Sequence, residues 1–129
     1  MEFDPSRPIW HQLAHEFSRR IVVAQWPPGS RIGGVRELAG ELGVNPNTVQ
    51  RALAELEREG LCRSERTTGR FVTDDEDRIR RRRRTLAADA ADDYIAQARG
   101  FGIPLADATA LITERWPSDD HDTARSEGR

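Results

Sequence analysis

Residues 45–48 read Asn-Pro-Asn-Thr and open the stretch "GVNPNTVQRALAELEREG" (43–60). Two carboxamides and a hydroxyl, all uncharged donors and acceptors, stand where a helix must begin, and the charges come in later turns. One use is local: Asn45 can cap the helix, with Pro46 at the first position, where a missing N–H costs nothing. The other groups with chemical capacity are few. Arg80–Arg84 are five consecutive arginines, which can serve as a nucleic-acid tail or as a solvated connecting helix. On a helix they span more than one turn and cannot share one face. His11 and His15 stand four apart, but no third ligand follows at helical spacing, so no metal is expected. Cys62, the only cysteine, lies on an apolar register and reads as core. Gly29, Gly33 and Gly34 lack the Gly-Lys-Ser/Thr of a phosphate loop. No nucleophile–base pair is visible, so neither an enzyme nor a cofactor is expected.

The elements that position these groups follow from hydrophobic spacing. Ile9, Leu13, Phe17, Ile21 and Ala24 mark one face of a helix from Ile9 to Trp26, which "WPPGS" stops. Val35 to Leu42 is a second, short helix with Val35, Leu38, Ala39 and Leu42 inward. Gly43 closes it in the left-handed region. Asn45 caps a third, with Val49, Ala52, Leu53 and Leu56 inward and Gly60 at its end. Leu61–Ser64 and Arg70–Thr73 are two extended runs around a polar turn, a hairpin signal. From Asp74 a long helix is expected, with four acids in its first turn. Asp74 with Arg78, Glu76 with Arg80 and Asp77 with Arg81 stand in the favourable acid-first order. "IPLADATALITERW" (103–116) is one more helix, and Pro117 stops it.

The second and third helices carry the constraints of a helix-turn-helix. Ala39 is small at the crossing, Gly43 is at the turn, and Leu38, Leu42, Val44, Val49 and Ala52 face inward. An ordinary helical hairpin is the bland alternative. The hairpin directly behind the third helix favours a DNA-binding unit with a β-wing. The fold class is therefore mainly α with a small β-wing: an N-terminal winged helix-turn-helix (1–73), a short C-terminal two-helix dimerisation segment (74–116) and a polar, disordered tail (117–129).

Residues 8–72, "PIWHQLAHEFSRRIV…PPGSRIGGVRELAGELGVNPNTVQRALAELEREGL…TTGRFV", resemble the GntR family of winged-helix transcription regulators. The Asn-Pro-Asn-Thr opening and the short helical tail resemble its YtrA-like subgroup. The resemblance implies that the first turn of the third helix enters the DNA major groove. Asn45, Asn47, Thr48 and Gln50 then become base-edge and phosphate candidates, because carboxamides bond adenine bidentately and a Thr methyl touches thymine. Arg51 is placed to reach guanine or phosphate. Arg36 matches a frequent DNA-contacting arginine of the family, and Gly69 and Arg70 match the wing tip. Two departures stand out. Pro46 occupies a position where many members carry an arginine that contacts guanine. Gly33-Gly34 stands where many carry Pro-Ser, which leaves the second helix a weaker cap.

The net charge of −2 argues against an indiscriminately basic binder. No apolar run approaches the ~18 residues of a membrane span, and the acidic start has no signal-peptide character, so a cytoplasmic location is expected. Leu86, Tyr94, Ile95, Phe101, Ile103, Leu105, Leu111, Ile112 and Trp116 need a second copy to bury them, so a homodimer on double-stranded operator DNA is the expected assembly. The resemblance implies a repressor of neighbouring transporter genes and of its own operon. It does not give a small-molecule effector. The competing class is a protein-docking module that uses the same fold without specific DNA binding.

Overall fold

In the computed structural model, residues 1–118 are described. The elements in chain order are α1 (Ile9–Val22), α2 (Val35–Leu42), α3 (Pro46–Arg58), β1 (Cys62–Glu65), β2 (Gly69–Val72), α4 (Glu76–Gly100) and α5 (Leu105–Arg115). The fold is mainly helical with a small antiparallel sheet. The chain divides into two compact units, Met1–Ala88 and the residues from Asp89 onward.

The core of the first unit is built by the expected helix faces. Leu13, Phe17 and Ile21 of α1 and Val49, Ala52, Leu53 and Leu56 of α3 are fully or almost fully buried. Leu38 and Ala39 of α2 join them, and Val35, Leu42 and Val44 are partly buried against the same cluster. Gly43 takes φ 68° and ψ 37°. There the Gly43 and Val44 amides both donate to the Ala39 carbonyl, at 2.9 and 3.1 Å, so the turn after α2 is tight enough to start α3 three residues later. Arg20 is buried among this apolar surface. Glu16 (3.0 Å) and Glu41 of α2 (2.9 Å) accept from it, and it lies over the rings of Phe17 and Trp26. It ties α1 to α2, and both carboxylates compensate its burial.

α1 is shorter than its hydrophobic spacing suggested. It ends at Val22, and Ala24 is exposed with φ 61° instead of facing inward. The Trp26 amide donates to the Arg20 carbonyl at 3.0 Å, and the reversal lays the Trp26 ring 5.0 Å from Phe17. The Pro27 that follows disfavours helical backbone at Trp26. The strands are also displaced slightly from the expected runs. The Leu61 amide still donates to the Leu56 carbonyl at 2.9 Å, closing α3, so β1 starts at Cys62. Its register pairs Cys62 with Val72 and Glu65 with Gly69.

α4 begins at Glu76, later than Asp74. Asp75 caps it by accepting the Arg78 amide at 3.1 Å. Ile79 enters the core of the first unit and Leu86 packs beside it. The expected acid–arginine pairs do not form at a spacing of four. Asp75 takes Arg78, Asp77 takes Arg80, and Asp74 approaches Arg63 instead. Arg82 and Arg83 turn to the first unit's own helix ends: Arg82 donates to Glu59 at 2.7 Å, and Arg83 donates twice to the Val22 carbonyl, at 3.3 and 2.9 Å.

In the second unit the Tyr94 hydroxyl donates to the Ala108 carbonyl at 2.9 Å, and Ala98 and Ala108 are buried. Phe101, Leu105 and Trp116 are 80%, 82% and 69% exposed, and Ile95, Leu111 and Ile112 are also exposed. The tail expected to be disordered lies outside the described residues, apart from Pro117 and Ser118.

Candidate nucleic-acid interface

The first turn of α3 is set by its cap. The Asn45 carboxamide oxygen accepts the Asn47 amide at 2.7 Å, and Pro46 sits at the first helical position. The Thr48 and Val49 amides donate to the Asn45 carbonyl at 2.9 and 3.2 Å, so Asn45 satisfies the amide donors of the turn and leaves its side chains, at the positive end of the helix dipole, to meet a ligand. Since Val49, Ala52, Leu53 and Leu56 face the core, the helix period turns Asn47, Gln50, Arg51 and Ala54 to the surface, where all four are exposed. Among the described residues, the side chains of Asn47, Thr48, Gln50 and Arg51 have no hydrogen-bond or ion-pair partner. Their capacity is unspent.

The charge on α3 is segregated along its axis. Its two acids, Glu55 and Glu57, lie in the C-terminal half, Glu59 follows at the C-cap, and each is engaged. Glu55 pairs with Arg58, whose guanidinium holds the Glu55 carboxyl down to about 2. Glu57 accepts from Ser64 at 2.8 Å and from Arg70 at 3.4 Å. Glu59 faces Arg82, yet burial and the neighbouring Glu55 push its carboxyl upward. The N-terminal half carries no acid and one cation, Arg51. A phosphate backbone approaching that half meets no competing carboxylate on the helix.

Arg36 is exposed in the first turn of α2 and has no side-chain partner among the described residues. Gly34 caps α2 with extended backbone. The Glu37 carboxylate reaches back to accept its N–H at 3.4 Å, but glycine has no side chain to return the bond. Half a capping box remains. The expected penalty of the Gly33-Gly34 pair is therefore only partly offset.

The wing differs from the expectation in detail. Its tip is the turn Arg66–Thr68. Gly69 and Arg70 open β2, and Arg70 is drawn back to Glu57 of α3. Gly69 has φ 112°, and a Cβ there would sit 3.1 Å from the Arg31 guanidinium. Arg31 in turn donates to the Thr68 carbonyl at 2.8 Å. The segment before α2 runs beside β2: Ile32 donates to Arg70 O, Val72 to Ser30 O and Gly29 to Val72 O. Arg66, at the tip, is exposed without a side-chain partner among the described residues.

Sequence reasoning did not single out Arg66, Arg31 or Ala54. A basic residue inside the polar turn was a readable signal for Arg66. Arg31 works through a contact with a residue far along the chain, which periodicity does not encode. Ala54 is exposed in the middle of the same face, and a small apolar side chain gave no chemical signal to read.

The other chemical groups are structural. Cys62 is buried beneath the hairpin, where burial pushes its thiol up to about 11, the opposite of a reactive thiolate. His11 and His15 are exposed, and Glu16 beside them is engaged by Arg19 and Arg20. No described helix is long and apolar enough to cross a membrane.

Comparison with known proteins agrees with this geometry. Residues 10–72 match the family described as "Bacterial regulatory proteins, gntR family". The HTH-type transcriptional regulator Rv1152 of Mycobacterium tuberculosis is 35% identical over 107 residues, 83% of this chain and 84% of the relative. The HTH-type transcriptional repressor YtrA of Bacillus subtilis is 36% identical over 76 residues, 57% of this chain and 58% of that protein. The structure of a GntR family transcriptional regulator from Listeria monocytogenes superposes with a TM-score of 0.79 at 35% identity, covering 87% of this chain and 98% of that one. The chain therefore belongs to the GntR family, with YtrA among its relatives, and is a DNA-binding transcription regulator, not an enzyme.

Proposed function

We propose that the protein is a homodimeric repressor that binds an inverted-repeat operator, with one α3 per half-site in the major groove. The observation that carries this reading is the unpartnered, acid-free first half of α3, where Asn47, Thr48, Gln50 and Arg51 stand ready for base edges and phosphates. Asn45 both caps the helix and stands near enough to the groove to contact it. Arg36 reaches the backbone beside α3, and the Arg66–Thr68 tip, with Gly69 behind it, approaches the minor groove. Arg70 supports the wing through Glu57.

Residues 74–116 supply the dimer. Phe101, Leu105, Ile112 and Trp116 leave a large apolar surface in water, which a second copy would cover. A two-fold dimer requires half-site centres about one helical turn, or a multiple of it, apart. Control of transporter genes and of its own operon is the regulatory role that the family resemblance suggests, in the cytoplasm. A small-molecule effector would act on this dimer.

Protection of the DNA upstream of its own gene tests the reading. An inverted repeat protected by the full-length protein, and lost on raising salt with a slope of ~0.9 per phosphate contact, is expected. Uniform, sequence-independent protection would refute it.

A further inference from the structure

Arg51 is the only cation in the acid-free half of α3, and it is not free to wander. Its guanidinium carbon lies 4.3 Å from the centre of the Trp10 ring in α1. Trp10 is itself held. Its ring meets His11 edge-on with centroids 5.6 Å apart. Two residues on, Gln12 is locked to the N-terminal arm, accepting the Asp4 amide at 2.8 Å and donating to the Asp4 carbonyl at 2.7 Å. One residue further, Leu13 is fully buried. The first turn of α1 is thus anchored on both sides of the indole.

A stack of this kind engages the face of the guanidinium and leaves its N–H donors around the rim unspent. Most arginines of the first unit spend those donors on carboxylates or carbonyls. Arg51 has no such partner among the described residues.

We propose that Trp10 is a positioning residue for DNA readout: it holds the Arg51 guanidinium in one plane, so that its edge meets a base without first losing side-chain freedom. An arginine normally surrenders several rotatable bonds on binding, and a stacked one has surrendered most of them already. The proposal rests on the reading of α3 as the DNA-contacting helix.

The test uses the full-length protein and selection from randomised duplex DNA, with Arg51→Ala, Trp10→Leu, Trp10→Tyr and Asn47→Ala compared with the parent. Arg51→Ala is expected to lose preference at one base-pair position of each half-site or one flanking step. Trp10→Leu should lose it at the same position, with affinity down roughly three- to thirtyfold, and Trp10→Tyr, which keeps a ring, should recover most of it. Trp10→Leu retaining the parental preference where Arg51→Ala loses it would overturn the proposal, as would an Arg51→Ala variant that selects the parental sequence while Asn47→Ala does not. A parent that enriches no sequence would overturn the reading of α3 itself. Should Trp10→Leu fail to fold, NMR of the parent decides: the Arg51 side-chain protons must show an upfield ring-current shift in the free protein, and their absence from that region refutes the stack.

Discussion

Replacing Arg82 with Gln should destabilise the first unit by about 1–2 kcal/mol and leave DNA specificity unchanged. The Arg82 guanidinium donates to Glu59 at 2.7 Å, and both side chains are 26% exposed. Exposed pairs contribute ~0.2–1 kcal/mol, whereas breaking a fully buried pair costs ~3–5 kcal/mol; this pair lies between. Two further features place it above the exposed range. Glu59 sits at the C-terminal end of α3, where Arg78 also donates to its carbonyl, at 3.2 Å, so the arginines oppose the negative end of the helix dipole. The Glu59 carboxyl is already pushed upward by burial and by Glu55, and without Arg82 it loses the cation that counters that push. For a unit of this size the loss corresponds to a fall in melting temperature of roughly 4–12 °C. Thermal unfolding of Arg82→Gln, Glu59→Gln and the double variant, with Arg81→Gln as a control, is the assay. Arg81 is exposed and has no side-chain partner among the described residues, so its variant should melt like the parent. Equal melting of the Arg82 and Arg81 variants, or a double-variant cycle with no coupling, would refute the reasoning.

Asn47→Ala combined with Thr48→Ala should weaken specific binding by ~2–6 kcal/mol, if each loses one base contact, with no change in melting; titration at fixed salt checks it. A chain ending at Ala88 should fold as a monomer with weak, mostly non-specific DNA binding, and one ending at Thr73 should be less stable because it lacks buried Ile79, a loss of ~2–5 kcal/mol. Light scattering and melting of both, beside a dimeric full-length protein, decide this. Cys62 should resist thiol reagents in the native state. Its thiol is raised from the ordinary 9.0 to about 11, so the stability tied to the neutral thiol is intact below pH ~9 and is lost as pH rises through about 11. Cys62→Ala should flatten that part of the stability–pH profile.

The helix faces and the turn between α2 and α3 were legible because each is a local rule repeated in sequence. Val49, Ala52, Leu53 and Leu56 recur at helical spacing, Gly43 marks a left-handed turn, and Asn45-Pro46 writes a helix start in two letters. The end of α1 was not legible. Ala24 continues the apolar stripe, and only the fold-back of Trp26 onto Phe17 removes it from the helix. The arginine run misled for a related reason. Spacing offered Arg78, Arg80 and Arg81 acids four residues before them, but Arg78 and Arg80 pair with acids three residues away, while Arg82 and Arg83 reach the ends of α3 and α1, and no periodicity encodes such distant partners. At the candidate interface the residue types of α3 were readable, and the support behind them was not: Trp10 under Arg51, Glu57 behind Arg70, and Arg31 against Gly69 are all meetings of separate elements.

The segment Gly29–Ile32 changes what the wing costs to use. Two strands of four residues would be marginal as an isolated hairpin in water. Here β2 is also bonded along its other edge by Gly29, Ser30 and Ile32, and Arg31 bolts the turn at Thr68. A wing ordered in advance presents its tip without a folding step, so encounter with DNA need not wait for it and little of the contact energy is consumed in freezing it. Loosening this strap, as Arg31→Ala would, should slow association more than it weakens any single contact. It would turn a rigid probe of groove shape into a flexible arm.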